Sequence, residues 1–360
     1  MSAIEELVAF QGRAPGTDAE RRAARYLEER LRKLGRDAEV EPLSIHPNYA
    51  VTHALHALIA IVGSVLSVTV PAAGAALVLV AAISTFGDLS GGFYLLRRLT
   101  GRRASQNVTS REGGDKPGVI VLTAHYDAGR GSGALKHWPV FTLLFWAMFA
   151  ILACSLIRVA GFEGTPLTII QFIPTVVLIA CVPLLIDVPL SPVGGGANDN
   201  ASGVATVLRL AERYGGRLEH FDVWVVLPGA GEGLMLGMRN WIKEHKGELD
   251  PASTIFLGVD VAASSTVRWI TKEGHVLPSR YHPELIRLCE EVGEGRPMAA
   301  RGASDALMAR AAGFPAITIT SRTTRGQRAE RVDPDALERT YDFCAALIEL
   351  VDAEVGPQLS

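Results

Sequence analysis

Charge is missing from long stretches of the first half of this 360-residue chain. No Asp, Glu, Lys or Arg occurs in the 46 residues between Glu41 and Asp88, the 21 between Lys136 and Arg158, or the 23 between Glu163 and Asp187. Charged residues make up only 20% of the whole, too few for a coiled coil or a disordered tail. Positive charge is not in excess either. With 35 Lys and Arg against 38 Asp and Glu the net charge is −3, so there is no basic field to grip nucleic acid, and no nucleic-acid partner is expected. Cysteine is scarce. Cys154 and Cys181 fall inside apolar runs, and Cys289 and Cys344 show no paired spacing, which indicates neither a disulfide framework nor a cysteine zinc site. No signal peptide is expected, because Met1–Leu7 carries two glutamates and no long apolar stretch follows. Asn107-Val-Thr109 and Asn200-Ala-Ser202 match the glycosylation sequon, a match short enough to arise by chance.

What fills the uncharged stretches is Ala, Val, Leu and Ile. With glycine counted and tyrosine left out, apolar residues make up about 56% of the chain, where roughly 45–50% is usual. A membrane helix needs about 20 apolar residues. The first run is therefore two spans, roughly 51–70 and 75–92, turning at Pro71-Ala72-Ala73-Gly74. The other two runs form a second hairpin, whose last span carries Pro174 and Pro183, tolerated in membranes because neighbouring groups re-satisfy the freed carbonyls. Buried core helices of a soluble protein are the alternative, but these normally keep a polar stripe. Residues 76–83 have no polar group and 140–151 only Thr142. His53 and His56 are expected at the interface or packed against the neighbouring hairpin, although polar groups at membrane depth are functional candidates. With so little intramembrane charge, an ion-transport path is not supported. Arg97, Arg98, Arg102 and Arg103 crowd the end of the second span while the hairpin tips carry almost none. The positive-inside rule then expects a plasma-membrane protein whose hydrophilic mass faces the cytoplasm.

The remaining stretches, 1–50, 93–136 and 189–360, amount to a single discontinuous domain. Thr17 and Glu20 form a capping box for a helix that Gly35 closes. Strands are predicted at 37–45, 105–111, 118–124, 221–227, 254–260, 266–271 and 315–320, with helices at 201–214, 233–246, 282–292, 304–312 and 334–353. Such alternation means an α/β fold, a mostly parallel mixed sheet with helices on both faces.

In such sheets the site lies beyond the carboxyl ends of the strands. Strand 118–124 runs into His125-Tyr126-Asp127, strand 221–227 into Gly231-Glu232, and strand 254–260 ends on Asp260, while Asp199 sits just ahead of a helix. One imidazole and three carboxylates suit a divalent metal, most simply zinc. Asp127 is placed to hold the His125 imidazole from behind.

These residues resemble peptidase family M28, the co-catalytic zinc aminopeptidases. Family members carry a His-x-Asp motif after a central strand, Asp-Asn-x-Ser-Gly, a Glu-Glu pair before a glycine-rich turn, a strand-ending Asp, and a late Ser-Asp-His followed by Gly-Ile-Pro-Ala. Here Ala124-His125-Tyr126-Asp127, Asp199-Asn-Ala-Ser-Gly203, Gly231-Glu232, Asp260 and Ser304-Asp305-Ala306 with Gly313-Phe-Pro-Ala316 correspond, in order. The resemblance implies that His125 and Asp260 bind one zinc, Asp199 bridges both, and Glu232 binds the second with the late His. Two positions depart: the general-base Glu falls on Gly231 and the late His on Ala306, and no histidine follows His282.

Three readings stay open. Asp305 substitutes as an oxygen ligand and two metals bind; or one zinc sits at His125, Asp199 and Asp260 with Glu232 as base; or hydrolysis is lost and a membrane-bound binding or scaffold module remains. An active enzyme would hydrolyse peptide N-termini or a related small amide. Asp305 as a helix cap ranks above Asp305 as a ligand. Gly194–Gly196 need do no more than turn the chain from membrane to domain. The loop Arg322–Arg331, with Arg325 and Arg328, reads as a solvated or lipid-facing surface, with a contact to a substrate carboxylate the lesser option.

Overall fold

The computed structural model describes residues 2–131, 139–322 and 331–355. Among them are nine strands in one mixed sheet and eleven helices. The chain begins with α1 (Ser2–Ala9) and α2 (Asp18–Lys33), the latter capped by Thr17, whose hydroxyl accepts from the Glu20 amide at 3.2 Å. After β1 (Glu39–Ile45) come the long helices α3 (Tyr49–Leu66) and α4 (Pro71–Ser90). Strands β2 (Arg103–Ser110) and β3 (Gly118–Thr123) precede a second helical pair, α5 (Val140–Val159) and α6 (Thr165–Leu190). The rest alternates: α7 (Ser202–Tyr214), β4 (Phe221–Leu227), α8 (Leu236–His245), β5 (Thr254–Asp260), β6 (Arg268–Glu273), β7 (Ser279–Arg280), α9 (Pro283–Val292), β8 (Arg296–Ala300), α10 (Asp305–Ala311), β9 (Ala316–Thr320) and α11 (Pro334–Leu350).

The sheet order is β1-β2-β4-β3-β5-β9-β6-β7, with β8 beside β6. Its centre, β4-β3-β5-β9, is parallel, and β1, β2, β6 and β7 join antiparallel. The central strands are apolar along nearly their whole length, Val-Ile-Val-Leu in β3 and Ile-Phe-Leu in β5, as strands covered on both faces must be. The Asx-Ser motif is what fastens α7 to the sheet. Asn200 accepts the Val261 amide at 2.9 Å and donates to the Val259 carbonyl at 2.9 Å; Ser202 and Asn198 accept the next two amides, Ala262 and Ala263. Both sequon asparagines, Asn107 and Asn200, are therefore buried and hydrogen-bonded inward.

The four long helices pack in a ring, α3 on α4, α4 on α5, α5 on α6 and α6 on α3. Each is long and apolar enough to cross a membrane. Their inner surface is built of small and mid-sized residues, Ala54, Ala57, Ala60, Val78, Ala81, Leu144, Ala147 and Leu178 among them. Their outer surface is larger and more apolar: Trp146, Phe149, Ile170, Phe172 and Ile173 are between 48% and 64% exposed. That is the reverse of a water-facing helix bundle. Polar groups sit only at the two ends of the ring. At the far end Gln171 donates to the Ser64 carbonyl and the Ser67 hydroxyl, both at 2.8 Å, and accepts from Arg158 at 3.0 Å. At the domain end His53 and Arg97 flank Asp88 at 3.3 and 3.1 Å, and His56 meets the Ser84 hydroxyl at 2.7 Å.

Two local expectations change. Pro71–Gly74 is not the first turn but the opening of α4, because proline fits the first helical position, where its missing N–H costs nothing; Ser67–Val70 make the turn. Arg97 is not a surface cation. It is 1% exposed, paired to Asp88, and donates to the Gly233 carbonyl at 3.0 Å. The short strands β7 and β8 carry Pro, Arg and Ser rather than an apolar alternation, which is why no sequence pattern announced them.

Candidate metal centre

Four strand ends converge. Beyond β3 the chain carries His125 and Asp127, both buried. Beyond β4 it bends sharply: Ala230, Leu234 and Met235 all take positive φ (52°, 71° and 57°) around Gly231-Glu232-Gly233, a conformation that costs a non-glycine residue of order 1–3 kcal/mol each. Two buried carboxylates hold that bend. Asp127 accepts the Gly231 amide at 2.7 Å and the Glu232 amide at 3.0 Å, and Glu20, the capping-box residue, accepts the Ala230 amide at 2.9 Å and the Ser105 hydroxyl at 2.8 Å. Asp127 therefore anchors the Glu232 loop and does not hold the His125 ring. Glu20, deprived of water and near Asp127, is pushed up to about 8.

The His125 ring is held from its other side. Asp305, at the start of α10, faces Nδ1 at 3.4 Å, while Nε2 points toward Asp199 at 3.8 Å and has no hydrogen-bond partner among the described residues. Burial opposes the His125 cation, but the Asp305 carboxylate, with Asp127 and Glu232 behind it, raises the imidazole well above its ordinary value. Asp305 is thus neither a helix cap nor a ligand on the open side: it is 4% exposed and turned to the back of His125. Its neighbour Ala306 is buried where it lies against Gly258, with no donor atom to offer.

Among the described residues, one His, Cys, Asp and Glu group brings its ligand atoms mutually within 4.8 Å: His125, Asp199 and Glu232. Loss of water and the nearby Asp199 carboxylate push Glu232 up to about 8. An unpartnered imidazole nitrogen whose other nitrogen is oriented by a carboxylate, beside two more carboxylates, is a donor set that fits zinc. Asp260 stands outside that triangle. It pairs instead with Arg322, whose Nη2 lies 3.1 Å from Asp260 and 3.3 Å from Asp199. Burial raises the Asp260 carboxyl, and Arg322 works against that shift. The expected grouping of His125, Asp199 and Asp260 is not the one that comes together most closely: His125, Asp199 and Glu232 do, while the Asp260 carboxylate faces a cation.

Arg322 is exposed, at 44%, as a solvated loop implies, yet its guanidinium also reaches the site. The signal was available: it lies two residues past the end of β9, and β9 pairs with β5 so that Thr320 is opposite Asp260. Arg325 and Arg328 lie outside the described residues. Glycine is required at one position. A Cβ at Gly231 would run into the root of the His125 side chain, whereas one at Gly129 would meet only the movable end of Glu232. Gly196 (φ +59°) brings the chain leaving α6 against Ala128 and Arg13. Arg13 donates to the carbonyls of Tyr126 and Gly196 at 2.8 and 2.9 Å, tying the exit of the helical pair to the His125 segment.

With this geometry in view, the sequence pattern of peptidase family M28 matches residues 182–348. That stretch holds Asp199, Glu232, Asp260, Asp305 and Arg322 and leaves His125 outside. No curated protein matches the chain by sequence. Among solved structures it is similar to a zinc aminopeptidase from Bacillus subtilis, at 15% identity and a TM-score of 0.57, covering 100% of this chain and 97% of that one. It is also similar to an aminopeptidase from Aneurinibacillus sp. strain AM-1, at 13% identity and a TM-score of 0.58, covering 100% and 95%. A glutaminyl cyclase from Porphyromonas gingivalis shares 13% identity at a TM-score of 0.55, covering 97% and 96%. At these identities the likeness is one of fold.

Proposed function

From the M28 match and the fold it shares with zinc aminopeptidases, we propose that this chain is a membrane-anchored, zinc-dependent hydrolase of the M28 type that cleaves peptide N-termini or a related small amide. The observation that carries the reading is the unpartnered Nε2 of His125, buried and facing Asp199 and Glu232. His125, Asp199 and Glu232 hold the ion; Asp305 fixes the ring of His125, and Asp127 fixes the loop of Glu232. Zinc at this place supplies polarisation of the scissile carbonyl and acidification of water. Position 231 has no side chain, so proton transfer would fall to Glu232 only when its carboxylate is released from the ion. The ring of four apolar helices is the anchor, lying in the bilayer with the α/β domain on one side, the side that Arg98, Arg102 and Arg103 mark as cytoplasmic.

One observation favours a second reading, a non-catalytic binding or scaffold module: the missing base cannot be regained by side-chain exchange, because a Cβ at Gly231 meets the His125 ring. Losing a positioned base typically costs roughly 10²–10⁴-fold. The test is zinc content and turnover of aminoacyl reporter amides by the full chain in detergent. Bound zinc with turnover, both lost in His125→Ala and Asp199→Ala, supports the hydrolase. Bound zinc without turnover supports the module, and no zinc after reconstitution refutes the zinc-dependent hydrolase and leaves the module.

A further inference from the structure

We propose that Arg322 is a built-in cation standing in for a second metal ion, so that this chain holds one zinc and never two. The inference rests on the zinc site proposed above and concerns its other half. Asp199 divides its two oxygens: Oδ1 faces the unpartnered nitrogen of His125 at 3.8 Å, and Oδ2 faces the Arg322 guanidinium at 3.3 Å. The same Nη2 reaches Asp260 at 3.1 Å. A carboxylate that bridges two ions in a two-metal centre would use its oxygens in this way, one to each cation. Here the second cation is covalently part of the protein.

Three observations agree. The backbone of Arg322 is set by its amide, which donates to the Thr320 hydroxyl at 3.0 Å, at the end of a strand in register with Asp260. A second ion on this side would lack donors, since no ligand trio among the described residues includes Asp260. Charge agrees as well. The guanidinium already faces both Asp199 and Asp260, and an arginine does not deprotonate in proteins, so a divalent ion between these two carboxylates would meet a fixed positive charge.

The experiment is zinc stoichiometry, by elemental analysis and calorimetric titration of the detergent-solubilised full chain after chelator treatment. Wild type is expected to saturate at one zinc and Arg322→Lys to stay at one. Arg322→Ala is expected to take up a second, weaker zinc. Arg322→His guards against a folding defect in the alanine variant: its neutral imidazole supplies a ligand, and X-ray absorption should then show a zinc–zinc distance of roughly 3.5–4 Å. Two zincs in wild type, or one in both Arg322→Ala and Arg322→His at saturating zinc, overturns the stand-in while leaving the hydrolase reading intact. No zinc in wild type overturns both.

Discussion

At the scale of single residues, the site is a set of carboxylates each given a different partner: Asp305 the back of His125, Asp127 two amides, Asp260 an arginine, and Asp199 and Glu232 the open side. Removing a group that orients a ligating histidine typically costs 10–100-fold in metal affinity, so Asp305→Ala should weaken zinc binding by about that factor, read by competition with a chromophoric chelator. Gly231→Glu should not restore a base. Its Cβ displaces the His125 ring, and the expected result is lost zinc, measured as metal content, and not raised turnover. A further carboxyl, Glu273, is buried and accepts from Tyr281 at 2.8 Å and Ser304 at 2.7 Å; loss of water pushes it from 4.5 up to about 7. Its folded value lies above its unfolded one, so its contribution to stability is complete below about pH 4.5 and is lost as pH rises through about 7. Glu273→Gln, which stays neutral, should flatten the fall in Tm between pH 5 and 8, followed by thermal unfolding of the metal-free chain.

At the scale of elements, the apolar helices are joined to the domain by buried charge rather than by apolar contact alone. Arg97 reaches from Asp88 of α4 to the Gly233 carbonyl, and Arg239 of α8 donates to the Asp88 carbonyl at 3.0 Å and to Tyr94 at 2.7 Å. Removing one member of a buried ion pair strands the other and costs about 3–5 kcal/mol. Arg97→Ala should therefore lower the stability of the solubilised protein by about that amount, detected as a drop in Tm, and should loosen the Glu232 loop one residue from its contact. Within the ring, α3 and α4 approach so closely that a Cβ on Gly74 would meet the backbone of Ser67, and one on Gly63 would meet Val78. Close approach through small residues is how helices associate in lipid, where burial of apolar surface supplies no driving force. Gly74→Val should separate the pair and reduce the yield of folded protein, measured as monodisperse material after extraction.

At the scale of the whole molecule, both helical pairs leave and re-enter the domain at the same end of the ring, so the proposed anchor, with its even number of crossings, would keep the domain on one side of the bilayer. The tips at Thr69 and Phe162 would then lie on the other side. Cysteines placed at these two exposed positions should react with a membrane-impermeant thiol reagent added to whole cells, because all four native cysteines are buried. A C-terminal reporter should be active only in the cytoplasm. Labelling from the opposite side would invert the orientation read from Arg98, Arg102 and Arg103. The second helical pair is inserted between His125 and Asp199, and Gly194, just past it, donates to the Gly129 carbonyl at 2.9 Å, so anchor and site are neighbours.

Much of this was legible in the chain alone. The four apolar helices, the capped α2, the central strands and the strand-end residues His125, Asp199, Glu232 and Asp260 all follow from local signals: hydropathy over about 20 residues, capping chemistry, and runs of β-branched residues ending in polar groups. These depend on neighbours a few positions apart, which a sequence displays directly. Partner choice does not. That Asp305 backs His125, that Asp127 and Glu20 hold the bend before Glu232, and that Arg322 sits across Asp199 and Asp260 depend on which strand ends lie side by side, and residue 20 meets residue 230, and residue 322 meets residues 199 and 260, only when the sheet is assembled. Charge pairs and metal ligands act through a few ångströms of space, and only the tertiary structure sets that distance.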